Sequence, residues 1–587
     1  MKWKNNFIWI LWGIITLFLG WYVLFVAEIQ QAGDIAEYYS VTESIINHQS
    51  VNLTDQDRAN LEQVLHPAYF EMPGYYLEGL NANRYPVHFW FYPLLAVPFR
   101  VLLQFLNLNP IRSLFLVNLS SVVITVGFII KRYLNKFLPK LALMVSVFTG
   151  ALLSFLVWPG PDLWYLSLLL IVPFVFFKRE YWLAGLLVAL ASWQSQPLII
   201  LAAGLTVYAL FDSAKFNNSR LLASIKKLNF KSLAKATGIG ILALIPYGYN
   251  LVVFGVLTPW TSLKDGWTVM RGFGLHNASL WKLYEQWFDL NIGLFWYASL
   301  VFALAVLAVV RLGTNDKTNR FRLLFFVGFS LVTAFFYQTN PAWHYGTVGF
   351  GPGRHGVYLL PILIYFAIKF IPAKVVGYLL IGIVGATQIL SLSLNGYLEP
   401  DFTNSLRHSP YARFVLNRWP DLYQPTPEIF MDRTNHTDRD YPTSAVYQAE
   451  GQCLKVYVLK HDTSVLIERC GHIPSQKRAK LDNSLERLAN YDREILTKEA
   501  TFWPVPEACT QGFEETEQKP YRCLRSKQKF SQETGLKDLS RLKTLQEYPY
   551  PGVWKVDWGE PVKLTVPAGY KVNHYSLKGS YVTYSAQ

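Results

Sequence analysis

Apolar runs of roughly membrane-spanning length recur along the first two thirds of the chain, and short polar clusters separate them. A helix needs about 20 mostly apolar residues to cross a bilayer. We therefore expect an α-helical polytopic membrane domain over residues 1–395, with the first run retained as an anchor. The pattern predicts eleven spans, at 7–27, 112–130, 141–158, 163–177, 181–195, 197–211, 236–255, 291–310, 322–338, 356–371 and 374–393.

The basic residues between these runs predict the orientation. Lys and Arg cluster in alternate loops, such as 131–140 and 212–235, whereas the loops 158–162, 195–197 and 339–343 contain neither. Cytoplasmic loops carry an excess of Lys and Arg. We therefore expect a cytoplasmic N-terminus and an integral protein of a bacterial inner (plasma) membrane.

One apolar stretch, residues 86–105, is left out of this count. It contains three prolines, and counting it as a span would place the later basic clusters on the outer side. We interpret it as an aromatic-rich helix in the outer interface. It follows a long first outer loop, residues 28–85.

The pattern changes near Asn395. Residues 396–587 are polar, contain no spanning run, and by parity form an extracytoplasmic soluble domain that is α+β or β-rich. Strands are expected at 454–459 and 562–566, and a helix at 482–496. All four cysteines lie here, and an oxidising compartment favours two disulfides. The pairs Cys453–Cys470 and Cys509–Cys523 are preferred because each closes a short loop; a zinc site is the weaker alternative.

Composition agrees with a membrane protein. The chain has 587 residues, of which 52% are hydrophobic and 16% charged, whereas soluble domains average about 25% charged residues. The net charge of +14 could suggest a nucleic-acid partner. No basic face or binding motif accompanies that charge, so no nucleic acid is expected.

Polar residues gather in the predicted outer loops, where function in a polytopic protein is expected. Asp34 follows the first span and is the leading candidate for chemistry. The loop 339–355 combines four glycines with His344, Arg354 and His355. Each residue also has a structural interpretation: Asp34 could cap a helix over 35–47, and Arg84 could be an interface anchor.

Three segments carry a resemblance to a known family. They are Gly33-Asp34-Ile35-Ala36-Glu37-Tyr38-Tyr39, Asn83-Arg84-Tyr85-Pro86-Val87-His88, and Trp343-His344-Tyr345-Gly346 through Gly351-Pro352-Gly353-Arg354. Together with the topology of residues 7–395, they resemble the GT-C superfamily of integral-membrane glycosyltransferases, in the branch of protein O-mannosyltransferases and lipid A aminoarabinose transferases. The likeness has departures, since Asp34 stands alone where many members have paired acidic residues.

The resemblance implies an inverting transfer of sugar from a polyprenyl-phosphate donor to a hydroxyl of a glycan, lipid or protein acceptor at the outer membrane face. Asp34 would take the proton of the acceptor hydroxyl. Arg84 and Arg354 would stabilise the donor phosphate, assisted by His88, His344 and His355. Glu37, Tyr38 and Tyr85 are the expected substrate-binding residues. No cofactor is certain; a divalent metal is compatible with this chemistry, although a lone carboxylate argues against a dedicated cage.

Two other functions stay open at this point. A transporter or flippase of lipid-linked sugars would carry ionisable residues within its spans and an internal repeat. Inspection finds neither, and the outer-loop concentration of polar residues favours an enzyme. The third alternative is a non-catalytic membrane scaffold that binds glycan.

Overall fold

The computed structural model resolves two compact units, and each is described by itself. The first comprises Met1–Pro259, Ala278–Thr339 and Trp343–Phe414, and the second Trp260–Asn277, Asn340–Ala342 and Val415–Gln587. The structure describes residues 2–29, 34–62, 76–81, 83–213, 230–259, 274–315, 317–340, 343–344, 351–372, 374–395, 406–436, 445–449, 452–457, 544–547, 553–557, 570–575 and 581–586.

The described part of the first unit is almost entirely helical. Its helices are α1 Lys2–Trp21, α2 Ile35–His48, α3 Asp55–Glu62, α4 Phe91–Phe105, α5 Arg112–Arg132, α6 Phe137–Phe148, α7 Asp162–Phe177, α8 Tyr181–Ala191, α9 Leu198–Ser213, α10 Phe230–Phe254, α11 Leu280–Phe288, α12 Leu294–Asn315, α13 Lys317–Tyr337, α14 Leu360–Phe370, α15 Val375–Asn395 and α16 Pro410–Arg418, whose residues from Val415 onward belong to the second unit. Short π- and 3-10 turns extend some of them, at Tyr22–Val26, Ala151–Phe155 and Val357–Leu359.

The chain is an α-helical membrane protein. Ten of the eleven predicted spans coincide with one of these helices, whereas the span predicted at 141–158 begins within α6, which ends at Phe148 and is followed by a 3-10 turn. By length and composition, six of the described helices can cross a membrane. The six are Asn6–Val26, Arg112–Arg132, Phe230–Phe254, Leu294–Gly313, Arg320–Tyr337 and Val375–Leu394. The stretch left out of the count is a separate helix, α4, that begins at Phe91 rather than at residue 86, because residues 84–86 form a strand.

Helix α7 lies at the centre of the first unit. It is apolar on all sides, as expected of a helix surrounded by protein, and it packs against α5, α8 and α14. Helix α10, in contrast, exposes Ile241, Leu244 and Val252. An exposed apolar face on a long helix suits contact with lipid. The buried end of α7 is where the candidate site lies.

A small layer of short elements lies between α1 and α4 in the chain. Helix α2 packs against α3 and α4, and strands β1 (Tyr76–Glu78) and β2 (Arg84–Pro86) form an antiparallel pair in which Leu77 faces Tyr85. The end of β2 leads directly to His88 and then to α4. This layer therefore brings the start of α2 and the residues after β2 to one place.

In the second unit, the described elements include helix α17 (Pro427–Asn435), a hairpin of β3 (Ala445–Ala449) and β4 (Gln452–Tyr457), and a four-stranded antiparallel sheet. That sheet has the order β5-β6-β8-β7, from Thr544–Glu547, Val553–Asp557, Tyr581–Ala586 and Tyr570–Tyr575. The strand expected at 454–459 corresponds to β4. The strand expected at 562–566 and the helix at 482–496 lie outside the described residues.

The proposed disulfides are not tested by the structure. Cys453 stands on β4, whereas Cys470, Cys509 and Cys523 lie outside the described residues. The two pairings therefore stay predictions.

Candidate functional site

Asp34 stands immediately before α2, at the position where a capping side chain would be expected. Its backbone carbonyl accepts from the Tyr38 N–H at 3.0 Å, but its side chain makes no capping hydrogen bond. An N-cap Asp is normally found with its carboxylate on the first backbone N–H groups of the helix. The Asp34 carboxylate is directed elsewhere, so capping does not explain this residue.

The first neighbour of Asp34 is His88. Its Nε2 lies 3.5 Å from Asp34 Oδ2, while its Nδ1 lies 2.6 Å from Oε2 of Glu37. The backbone N–H of His88 also donates to Oε1 of Glu37, at 2.7 Å. Glu37 is completely buried one turn into α2. It therefore fixes both the backbone and the ring of His88, and turns the second ring nitrogen towards Asp34.

The second neighbour is Arg354. Its Nη1 lies 3.7 Å from Asp34 Oδ2, and its Nε donates to both oxygens of Asp162, at 3.1 and 3.2 Å. Asp162 is the first residue of α7, is 1% exposed, and also accepts from the Tyr165 hydroxyl at 2.8 Å. The guanidinium carbon lies 5.6 Å from the Trp158 ring centre, within cation–π range. Arg354 thus links the starts of α2 and α7.

Two glycines allow the loop that carries Arg354 to lie close to its support. The Gly353 N–H donates to the carbonyl of Ile292 at 2.8 Å, and an added Cβ there would lie 3.2 Å from Ile292 Cβ. An added Cβ at Gly356 would lie 3.0 Å from the carbonyl oxygen of Gln286. Residues with larger side chains would push the loop outward, and Arg354 with it.

Tyr38 adds an unpaired donor to this cluster. Its ring lies 5.2 Å from that of His88, and its hydroxyl is buried without a hydrogen-bond partner in the part of the chain that the structure describes. Burial, followed by the charge of Asp34, raises the pKa of Tyr38 well above its ordinary value. The hydroxyl is therefore neutral and can donate. A buried polar group without a partner costs stability and usually has a functional reason.

The charges of the cluster determine its protonation. Burial alone would lower the pKa of His88, but the carboxylates of Glu37 and Asp34 outweigh burial, so its pKa is raised. Burial would likewise lower the pKa of Arg354, and Asp162 and Asp34 raise it overall. Burial raises the pKa of Glu37, against the opposing effect of His88. Three carboxyl groups (Asp34, Glu37 and Asp162) therefore face one guanidinium and one histidine ring.

Two of the predicted residues are elsewhere in the first unit. Arg84 is exposed on β2, and no ion pair or side-chain hydrogen bond joins it to Asp34, His88 or Arg354 among the described residues. Tyr85 packs edge-on against Phe254, with ring centres 6.2 Å apart. Its hydroxyl accepts from Asn81 at 2.9 Å. Neither residue joins the Asp34 cluster in this structure.

The other two predicted histidines, one buried and one half-buried, differ from His88. His344 is fully buried beside Trp343. His355 follows Arg354 and lies 5.8 Å from the Tyr337 ring; burial, with a smaller effect of Arg354, lowers its pKa to about 4. A neutral His355 can donate one hydrogen bond to a ligand, but it supplies no positive charge at neutral pH.

Sequence analysis missed the role of Asp162. The residue begins α7, as its position after Pro161 indicates. A helix start alone accounts for an acidic residue at this position of the sequence. A carboxylate beside Trp158-Pro159-Gly160-Pro161 at the end of an apolar run was the available signal. Its pairing with Arg354 joins residues far apart in the chain, so only the structure reveals it.

Within the described ranges, no group of three or more His, Cys, Asp or Glu side chains could hold a metal ion.

Comparison with family models, curated proteins and solved structures finds no match for this chain.

Proposed function

We propose that this protein is an inverting glycosyltransferase that moves a sugar from a polyprenyl-phosphate donor to an acceptor hydroxyl at the outer membrane face. One observation carries the proposal. Asp34 is the N-cap residue of α2, but its carboxylate makes no capping hydrogen bond and instead faces His88 and Arg354. Perturbed ionisable groups gathered beside membrane helices are typical of functional sites. Polar clusters that serve only the fold are usually fully hydrogen-bonded.

In the proposed reaction, Asp34 accepts the proton of the acceptor hydroxyl as its oxygen bonds to the anomeric carbon of the donor. The bond from that carbon to the phosphate oxygen breaks, and the polyprenyl phosphate leaves with the electron pair. Direct displacement inverts the anomeric configuration. Positioning supplies much of the rate, because carboxylates are weak bases at neutral pH.

The neighbouring residues have supporting roles in this proposal. Glu37 holds His88 so that its Nε2 lies towards Asp34, where an imidazolium can donate to the reacting groups. Arg354 has one edge on Asp162, and its terminal nitrogens can donate to the departing phosphate. Because Arg354 is already shared between Asp162 and Asp34, the donor phosphate needs further positive charge. Arg84 stays a candidate for that role.

The test is Asp34→Asn in cells that lack the endogenous protein. We expect loss of one surface glycan, accumulation of its lipid-linked sugar, and a fall in transfer of at least about a hundredfold, since the carboxylate is the base. The measurement is mass spectrometry of lipid-linked sugars and surface glycans. Asp55→Asn is the matched control, because Asp55 is an exposed carboxylate in the first turn of α3.

The alternatives give different results. Full glycan restoration by Asp34→Asn would contradict the proposed mechanism. A transporter or flippase predicts that the lipid-linked sugar stays on the cytoplasmic side in the deleted strain, with no transferase activity in open membranes. A glycan-binding scaffold predicts no accumulation of donor.

A further inference from the structure

The short helix α11 lies at one end of two membrane-spanning helices. The spans Leu294–Gly313 and Arg320–Tyr337 belong to α12 and α13, which pack against each other with one residue between them in the chain. The start of α12 and the end of α13 therefore lie at the same membrane surface. Helix α11 reaches both points. It ends at Phe288, shortly before α12 begins, and the backbone N–H of Ser279, just before α11, donates to Oε1 of Gln338 at 2.8 Å.

These two attachments, together with its length, place α11 along the membrane surface. The helix has nine residues, so at a rise of about 1.5 Å per residue it is about 13 Å long. Packed neighbouring helices lie about 8–10 Å apart. A helix of this length that joins the same ends of two packed spans runs across them rather than along them. It therefore lies in the layer where the bilayer meets water.

The exposed and buried residues of α11 are the reverse of those on a surface helix of a soluble protein. Leu280, Trp281 and Tyr284 are 78%, 53% and 48% exposed, and their spacing places them on one face of the helix. The remaining surface of the helix buries Glu285 and Gln286, which are 2% and 1% exposed. Apolar residues outside and polar residues inside suit a helix whose outer surroundings are lipid.

The exposed face of α11 continues into the span that follows it. The ring centres of Trp281 and Tyr284 lie 5.2 Å apart, and those of Tyr284 and Phe288 also lie 5.2 Å apart. Phe288 in turn lies 5.5 Å from Phe302 of α12. One turn further along α12, Val306 is exposed, as expected on the lipid-facing side of a span. A row of aromatic rings thus connects the face of α11 to a lipid-facing surface.

The residue types on this face indicate which part of the bilayer it contacts. Trp and Tyr are enriched where hydrocarbon meets headgroups, because their rings are apolar while the indole N–H and phenol O–H can reach polar groups. None of the three exposed side chains carries a charge, and the ammonium group of Lys282 lies 5.2 Å from the centre of the Trp343 ring. Burial of apolar surface, rather than attraction to acidic headgroups, would therefore hold this face in the membrane.

Helix α11 also contacts the loop that carries Arg354. The carbonyl oxygen of Gln286 would lie 3.0 Å from a Cβ added at Gly356, and the Gly353 N–H donates to the carbonyl of Ile292, just after α11. The membrane surface beside α11 is therefore the one on which the Arg354 loop lies.

We propose that α11 is an interfacial helix whose exposed face, formed by Leu280, Trp281 and Tyr284, binds the phospholipid surface on the side of the Arg354 loop, whatever the charge of the headgroups. The inference goes beyond the proposed function and holds without sugar transfer, since it concerns the membrane rather than the reaction.

The test uses the full chain in nanodiscs of phosphatidylcholine, with photoreactive p-benzoylphenylalanine in place of Trp281 or, separately, of Tyr284. Both residues are exposed and aromatic, so the fold should accept the replacement. On illumination we expect a covalent phospholipid adduct at each position, detected by mass spectrometry of the digested protein. Exchanging part of the phosphatidylcholine for phosphatidylglycerol should leave the total adduct yield within about twofold, because apolar burial drives the contact.

Two control positions calibrate the adduct yield. Val252 is 77% exposed on the spanning helix α10, and the same photoreactive residue there should form a phospholipid adduct. Trp164 is 8% exposed on the central helix α7, and replacement there should give none. Thermal unfolding of each variant in the same nanodiscs monitors the fold. Because Trp281 and Tyr284 report on one face independently, the test stays valid if one of the two variants unfolds.

Three results would overturn the inference. Adducts to a second copy of the chain, or to another part of the same chain, in place of phospholipid would make the face a protein contact. Absence of adducts at Trp281 and Tyr284, while Val252 forms one, would mean that the face meets water. A yield that rises severalfold with phosphatidylglycerol would mean that α11 selects an acidic headgroup, contrary to the absence of charge on its exposed face.

Discussion

The two ends of α2 each combine a carboxylate with a histidine, yet they are built differently. At the C-terminal end, Asp57 accepts from His48 at 2.7 Å and from Asn47 at 3.1 Å. It also accepts from the backbone N–H and hydroxyl of Thr54, at 2.9 and 2.6 Å, while the Thr54 hydroxyl accepts from the Asp57 N–H. That is a reciprocal capping box at the start of α3.

At the N-terminal end, Asp34 makes no capping bond, its cationic neighbours stand 3.5 and 3.7 Å away, and Tyr38 nearby lacks a partner among the described residues. The Asp57 carboxylate accepts hydrogen bonds from neighbouring residues at both oxygens. A structural role at the start of α3 therefore accounts for it. The Asp34 cluster is left with donors and acceptors that a ligand could use. Both ends of α2 have acidic residues, so their presence does not distinguish a structural cluster from a functional one. The distinguishing feature is whether the hydrogen bonds of the carboxylate are satisfied within the protein.

The largest effect is expected from Arg354→Met, which leaves Asp162 buried without its cation. Removing one partner of a buried ion pair costs about 3–5 kcal/mol; because Arg354 is 24% exposed, we expect about 3 kcal/mol, near the lower end. Transfer activity should also be lost. The measurement is unfolding in detergent together with the glycan assay.

A double variant checks the cause. Arg354→Met combined with Asp162→Asn should recover more than half of the lost stability, since no uncompensated charge is then buried. Activity should not return. If the single Arg354→Met variant is as stable as wild type, the ion pair does not hold α7 to the loop.

A smaller effect is expected from Asp57→Ala at the saturated end. Burial opposes ionisation of Asp57, but the hydrogen bonds from Thr54, Asn47 and His48 lower its pKa from 3.8 to about 2. A depressed folded-state pKa gives stability that is present above pH 3.8 and is lost as the pH falls towards 2. The variant should lose about 2 kcal/mol at neutral pH and lack this acid-dependent component.

Unfolding followed between pH 5 and pH 2 gives the comparison with wild type. Sugar transfer at neutral pH should be unchanged, because the cluster has no unsatisfied group for a ligand. A loss of transfer without a loss of stability would mean that the Asp57 cluster, too, takes part in function, and the contrast between the two ends of α2 would fail.

Much of the helical architecture could be predicted from the chain, because a membrane span is a local property of consecutive apolar residues. Asp34, Glu37, Tyr38 and His88 are each candidate site residues from the sequence, with different expected roles, because they lie in two short segments that carry the family resemblance. Asp162 could not be recognised, because its partner Arg354 is remote in sequence. Arg84 was predicted from its residue type and its neighbours, and the structure leaves it exposed on β2.

The smallest effect concerns Glu37→Gln, which keeps an acceptor for the His88 backbone N–H but removes the charge that favours an imidazolium. Burial lowers the pKa of His88 and Glu37 raises it, so the variant should hold its imidazolium only to a lower pH. If protonated His88 assists the reaction, the alkaline limb of the pH–rate profile should move to lower pH, with about a tenfold loss at neutral pH. Transfer measured across that range in wild type, Glu37→Gln and Glu43→Gln gives the test. Glu43 lies in the same helix as Glu37 but pairs with Arg100 of α4, so it serves as the matched control. A profile that falls evenly at every pH would show that Glu37 only positions the ring, and the unsaturated end of α2 would then depend on Asp34 and Arg354 alone.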